Sequence, residues 1–211
     1  VSKVGTVIVA KVDGGVRVVS EDGAQVEVIQ VDDGEDRVIL EGNIETVEVK
    51  TSLPVVLANA NVTNVIVEAP ETHVTVGAGT TVNNVVVANS AEGTTLQVEG
   101  NIANVTVQAP GTAVEGAGTV ENVEVKAGAN HARIETSGTR IVIDEGVEGT
   151  TGAGGTQLAA GNDHNNAPAA ADNRQTSPST GSGGGGSGGG SRDDDDDDDT
   201  PAPVRLNAVV I

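Results

Sequence analysis

The chain has no Phe, Trp, Tyr, Met or Cys in 211 residues. Without aromatic rings, which supply the largest pieces of buried area in ordinary cores, any interior must be built from Val, Ile, Leu and Ala. That favours a thin, regular core and points to a repeat. The lack of cysteine excludes a disulfide framework, thiol nucleophiles and zinc-thiolate sites. Positive charge is scarce as well: 11 Lys and Arg stand against 31 Asp and Glu, a formal net charge of −20. Such a surface repels nucleic acid and anionic lipid, so neither is an expected partner. No apolar run approaches the roughly 20 residues of a membrane helix, and membrane insertion is not expected. The sequence opens at Val1 directly in a strand pattern, and the expectation is a processed N-terminus and an extracellular or cell-surface location.

What is present is a recurring phrase. The pair Val-x-Val or Ile-x-Ile appears as Val7/Val9, Val26/Val28, Val47/Val49, Val65/Val67, Val85/Val87, Val105/Val107, Val123/Val125 and Ile141/Ile143, with spacings of 18 to 21 residues. Three positions earlier stand Val4, Gly23, Ile44, Val62, Val82, Ile102, Val120 and Gly138. A second phrase lies half a period later, as Val16/Val18, Val38/Leu40, Val55/Leu57, Val74/Val76 and Leu96/Val98, weakening to Val114 and Ile134. Apolar and polar alternation among β-branched residues marks short strands, and Gly, Pro, Asn and Asp mark the joints between them.

A period near 20 residues belongs to solenoids, whose repeats bury their apolar faces only against their neighbours. The expected fold is all-β: a right-handed parallel β-helix of about eight coils over residues 1–149. At the strand spacing of a sheet this makes a stack on the order of 40 Å long. A left-handed hexapeptide helix would repeat an aliphatic every six residues, a step this chain does not keep. Asn64, Asn84, Asn104 and Asn122 each precede an anchor valine (Val65, Val85, Val105 and Val123), and are expected to form a structural amide ladder between coils.

The coil phrases "VTNVIVEAPETHVTVGAGTTVNNVVV" and "SGTRIVIDEGVEGTTGAGG", followed by a Gly-rich stretch, resemble the β-helical repeat regions of surface-layer-associated proteins secreted by Gram-positive bacteria. The resemblance covers roughly residues 40–190. It implies a structural role at a cell surface. The S-layer homology modules that often accompany such regions have no counterpart here.

Residues 150–200 lose the period and read as a low-complexity linker, with "GSGGGGSGGGS" at 181–191 typical of flexible chains. Seven aspartates follow, Asp193, Asp194, Asp195, Asp196, Asp197, Asp198 and Asp199. They read first as a self-repelling spacer and second as candidate ligands for calcium, which favours clustered carboxylates. No cofactor is required by this reading. Residues 201–211 read as an apolar strand phrase in which Val204, Leu206, Ala208 and Val210 alternate with Pro203, Arg205, Asn207 and Val209 before Ile211. A strand at the end of a linker needs an edge to join, and strand addition, within the chain or between subunits, is the expected use.

Catalytic constellations are not apparent. Glycoside hydrolysis needs two carboxyls across a sugar groove, whereas Glu48, Glu68, Glu99 and Glu124 are spread over alternate exposed positions and Asp32/Asp33 read as a turn. His73 and His131 fall at different coil positions and His164 in the tail, and the "GAGT" stretches at 77–80 and 116–119 lack the Lys-Ser/Thr ending of a phosphate loop. The chain is therefore read as a non-enzymatic subunit of an extracellular filament or surface layer that assembles with itself, through end-to-end stacking and the C-terminal strand. A monomeric adhesin module and a β-helical polysaccharide enzyme are the alternatives.

Overall fold

The computed structural model describes residues 2–10, 14–21, 23–34 and 36–166. The Asp run at 193–199 and the strand phrase at 201–211 lie outside these residues.

Val and Ile, stiff at χ1 and suited to a pleated surface, build two columns of parallel strands. The first column runs β1 (Ser2–Val9), β3 (Ala24–Val31), β4 (Val38–Val49), β5 (Val55–Val67), β7 (Thr81–Val87), β9 (Asn101–Val107), β11 (Thr119–Val125) and β13 (Arg140–Ile143). The second runs β2 (Val16–Val19), the first part of β4, the first part of β5, β6 (His73–Val76), β8 (Thr95–Val98), β10 (Ala113–Glu115) and β12 (Arg133–Ile134). The chain passes from one column to the other and back, and each return lands on the strand below. This is a β-solenoid of about seven turns, the expected parallel β-helix with its eight anchor rungs.

The core is one continuous cluster of aliphatic side chains along the axis. Val47, Val65, Val85, Val105, Val123 and Ile141 stack in register with exposures of 0–1 %. The half-period phrase forms its own ladder, Val16–Val38–Val55–Val74–Leu96–Val114–Ile134, as its spacing predicts.

One anchor is corrected. In the second rung the inward pair is Ile29/Val31, which pairs with Val7/Val9 on one side and Val47/Val49 on the other. Val26, expected as an anchor, takes the position three residues earlier, between Val4 and Ile44, and Val28 falls beside Thr6 and Thr46. Gly23 therefore belongs to the turn before the strand, with φ of 79°.

The boundary expected after residue 149 also moves. Residues 150–166 continue the folded body: a single 3-10 turn (Ala153–Gly155) is followed by β14 (Asp163–Asn165), which pairs antiparallel with β13. Among the described residues this antiparallel strand is the last on the first column, while the second column is continued by one parallel bridge, Arg133 to Thr151.

Candidate functional site

Four features run along or across the axis: an amide column, a stacked corner, the closed C-terminal end and the N-terminal rung. The amide column is the expected one. Asn84 Nδ2 donates to Asn64 Oδ1 at 3.2 Å, Asn104 Nδ2 to Asn84 Oδ1 at 3.3 Å, and Asn122 Nδ2 to Asn104 Oδ1 at 3.2 Å. The two inner amides, Asn84 and Asn104, each donate to the rung before and accept from the rung after, while Asn64 only accepts and Asn122 only donates within the column. A parallel pair three residues earlier on the strands, Asn61 Nδ2 to Asn43 Oδ1 at 3.2 Å, was not singled out from the sequence. Beside it lies an uncharged groove of about 400 Å³ lined by Gln25, Asn43, Asn61, Thr63, Thr81 and Asn83, among others.

The corner before the second column follows Ala-x-x-Thr, at Ala69–Thr72, Ala91–Thr94 and Ala109–Thr112. In each, the buried threonine hydroxyl donates to the alanine carbonyl three residues back, at 2.7, 2.8 and 3.0 Å. The residue before the threonine takes left-handed backbone: Gly93 and Gly111, but also Glu71 with φ of 52°. At the last corner, Val147–Thr150, the Thr150 Oγ1 is buried with no partner. The spacing of Ala and Thr was visible in the sequence; its meaning required the fold.

The C-terminal end is closed by one side chain. Asn166 is 5 % exposed. Its Nδ2 donates to the carbonyls of Ile134 at 2.8 Å and Thr136 at 2.7 Å, and its Oδ1 accepts from Ala153 N at 2.7 Å. Backbone bonds from Asn166 N to Thr139 O and from Gly138 N to Asn166 O complete the plug. Arg140 and Asp163 pair across β13 and β14 at 2.6 Å.

The N-terminal rung is unlike it. Among the described residues β1 pairs with β3 alone, leaving its outer edge without a strand. Val4 and Val7 are half-buried where their counterparts along the stack are buried. Ile8 and Val19 are 58 % and 48 % exposed. An edge of this kind is a template for another strand.

The charged groups do not converge. Asp32 accepts from Gln30 and Asp33 from Gly34 N, and the pair lies in the connection between β3 and β4. Glu48 and Glu124 pair with Lys50 and Lys126, at 3.0 and 2.8 Å, two residues along their own strands. These contacts raise both lysines above the usual ammonium range, chiefly through the side-chain hydrogen bond to the glutamate. Arg17 is raised in the same way by its two bonds to Glu41. His73 and His131 are exposed at different positions, and the His164 ring bonds the Ala159 carbonyl. Among the described residues no three acidic or histidine groups gather as metal ligands. The "GAGT" stretches are joints between coils: a Cβ on Gly116 would lie 2.1 Å from the Val98 carbonyl oxygen, and Thr80 Oγ1 donates to Leu57 O at 3.1 Å. The calcium candidates Asp193–Asp199 and the contact residues Val204, Leu206, Ala208, Val210 and Ile211 lie outside the described residues.

These features define a β-solenoid whose first rung, β1, has no strand beyond it among the described residues and whose last rung, β13, is covered by the antiparallel β14 and Asn166. The chain matches no protein-family model, no curated protein and no solved structure.

Proposed function

We propose that the protein is a non-enzymatic structural subunit of an extracellular filament or surface layer, built by joining copies of itself at their ends. The observation that carries this reading is the difference between the ends: β14 and Asn166 close one, while β1 offers a strand edge with half-buried Val4 and Val7 and exposed Ile8. Two unlike surfaces joined head to tail generate an open line rather than a closed ring. The antiparallel β14 hinders bare coil-on-coil stacking at its end, which favours a joint made by a donated strand from the C-terminal phrase at 201–211. The strong negative charge suits a soluble subunit whose assembly responds to cations, and calcium bound by the Asp193–Asp199 run is the candidate effector.

Electron microscopy of the purified chain, with calcium and with chelator, is the test. Fibres that shorten or vanish when residues 201–211 are deleted are the expected result. Separate short particles under both conditions would overturn the filament reading. The second reading, a monomeric binding module displayed at a surface, is favoured only by the uncharged groove beside Asn43 and Asn61, and retention of a specific glycan by the monomer would establish it.

A further inference from the structure

Residues 206–211 write the rung phrase once more. Along the stack an aliphatic is followed by inward aliphatics three and five residues later: Val26, Ile29 and Val31; Ile44, Val47 and Val49; Val62, Val65 and Val67, all buried. In "LNAVVI" at 206–211, Leu206, Val209 and Ile211 keep the same steps, and Asn207 and Ala208 fill the two places that Asn83 and Asn84, or Ala103 and Asn104, fill elsewhere. This register differs from the simple alternation of Val204, Leu206, Ala208 and Val210, and it is the register the observed strand pairing follows.

A detached rung needs a parallel strand to lie on. At the C-terminal end β14 already occupies β13, in the opposite direction. At the other end, among the described residues, β1 has one free side. We propose that residues 206–211 dock on β1 of their own chain as a further parallel rung, with Leu206 over Val4, Val209 over Val7 and Ile211 over Val9.

The chemistry of the edge fits this occupant. Val4 and Val7 would gain the aliphatic cover that Val26 and Ile29 already have, and exposed Ile8 would gain Val210 as its row neighbour. Arg205 falls over Lys3, a like-charged pair at the rim that Glu27, 3.8 Å from the lysine Nζ, partly offsets. Reach favours the chain's own segment over a neighbour's. Thirty-nine residues lie between Asn166 and Leu206; a coil of that length would have an r.m.s. span of about 30–38 Å, lengthened by the charge of the seven consecutive aspartates. Eight rungs at strand spacing set the two ends of the stack about 35–40 Å apart. A linker whose span matches its target gives an effective concentration on the order of millimolar. Below that concentration the chain closes its own edge, and polymerisation through this contact becomes an exchange that requires crowding.

The absence of cysteine makes the test clean. In the full chain, Ile8→Cys combined with Val210→Cys places two thiols directly across the new rung, at a separation about that of neighbouring strands and within disulfide range. Ile8 is exposed and the proposed register would turn Val210 outward beside it, and circular dichroism checks that the variant folds. At micromolar protein, mild oxidation is expected to give a crosslinked monomer at least tenfold faster than in the off-register control Ile8→Cys with Ala208→Cys. Crosslinked dimers in place of monomers would overturn the own-chain assignment. Equal rates in the two variants, or no crosslink in either, would overturn the rung itself. The readout is taken on dilute monomer, so it fails or succeeds independently of the fibres that test the filament reading.

Discussion

The first and last rungs are built from the same phrase and have opposite fates. Ile141 in β13 is 0 % exposed while its counterpart Val7 in β1 is half-buried, and the outward Ile8 is 58 % exposed where Val142 is half-buried; only the last inward position, Val9 and Ile143, is buried in both. Aliphatic content does not explain this, since both rungs carry inward β-branched pairs. What differs is the neighbour beyond each rung: β14 with the Asn166 plug at one end, and no strand among the described residues at the other. In a stack whose stability is a sum over adjacent repeats, burial belongs to the pair of neighbours and not to the residue.

The largest effect should come from a charge placed at mid-stack and at the open end in turn. Val105→Asp buries a carboxylate between Val85 and Val123, at a site 1 % exposed, and is expected to cost on the order of 5 kcal/mol or abolish the cooperative urea transition. With residues 201–211 deleted, Val7→Asp can turn its carboxylate towards water and should cost about 1–2 kcal/mol, and in the full chain, where the proposed rung sets Val209 over it, the loss should be larger. Equal losses would erase the distinction between interior and edge, and a large loss for Val7→Asp that shrinks when residues 201–211 are deleted would show the edge to be covered. Next comes the closed end. Asn166→Ala leaves the Ile134 and Thr136 carbonyls and the Ala153 amide without their side-chain partner and should cost about 2–4 kcal/mol, with faster hydrogen exchange in β13 but not in β7. The smallest effect separates two threonines of one corner column. Thr112→Val loses the bond to Ala109 O and should cost about 1 kcal/mol, whereas Thr150→Val removes a buried hydroxyl with no partner and should be neutral or stabilising by up to about 1 kcal/mol, both read from thermal melts.

Much of the solenoid was legible because its periodicity is written in residues whose only favourable place is inside. The ladder from Val47 to Ile141 and the half-period ladder from Val16 to Ile134 appear in the structure at the positions their spacing predicts. The second rung misled because "VEVIQV" contains two overlapping pairs, Val26/Val28 and Ile29/Val31, and local alternation cannot choose between them. Only the register with β1 and β4 does. The Asn64–Asn122 column was legible from its fixed offset to the anchors. The Asn166 plug was not, because it rests on one amide meeting carbonyls about 30 residues away, a contact that leaves no period behind. Residues 150–166 are rich in Gly, Ala, Asn and Thr, and a cap made of backbone turns and a three-residue antiparallel strand looks, in sequence, like a linker.

The in-register pairing has a consequence for size. Thr81 lies between Asn61 and Asn101, and Val85 between Val65 and Val105. Cutting out residues 81–100 would set Asn101 on Asn61 and Val105 on Val65, while Val114 would meet Val74, its partner's partner, in the other column. Every junction that remains is of a kind the stack already contains. The molecule is thus a ruler marked in turns, whose length can be shortened or extended by about 4.8 Å at a time by losing or duplicating one turn of sequence.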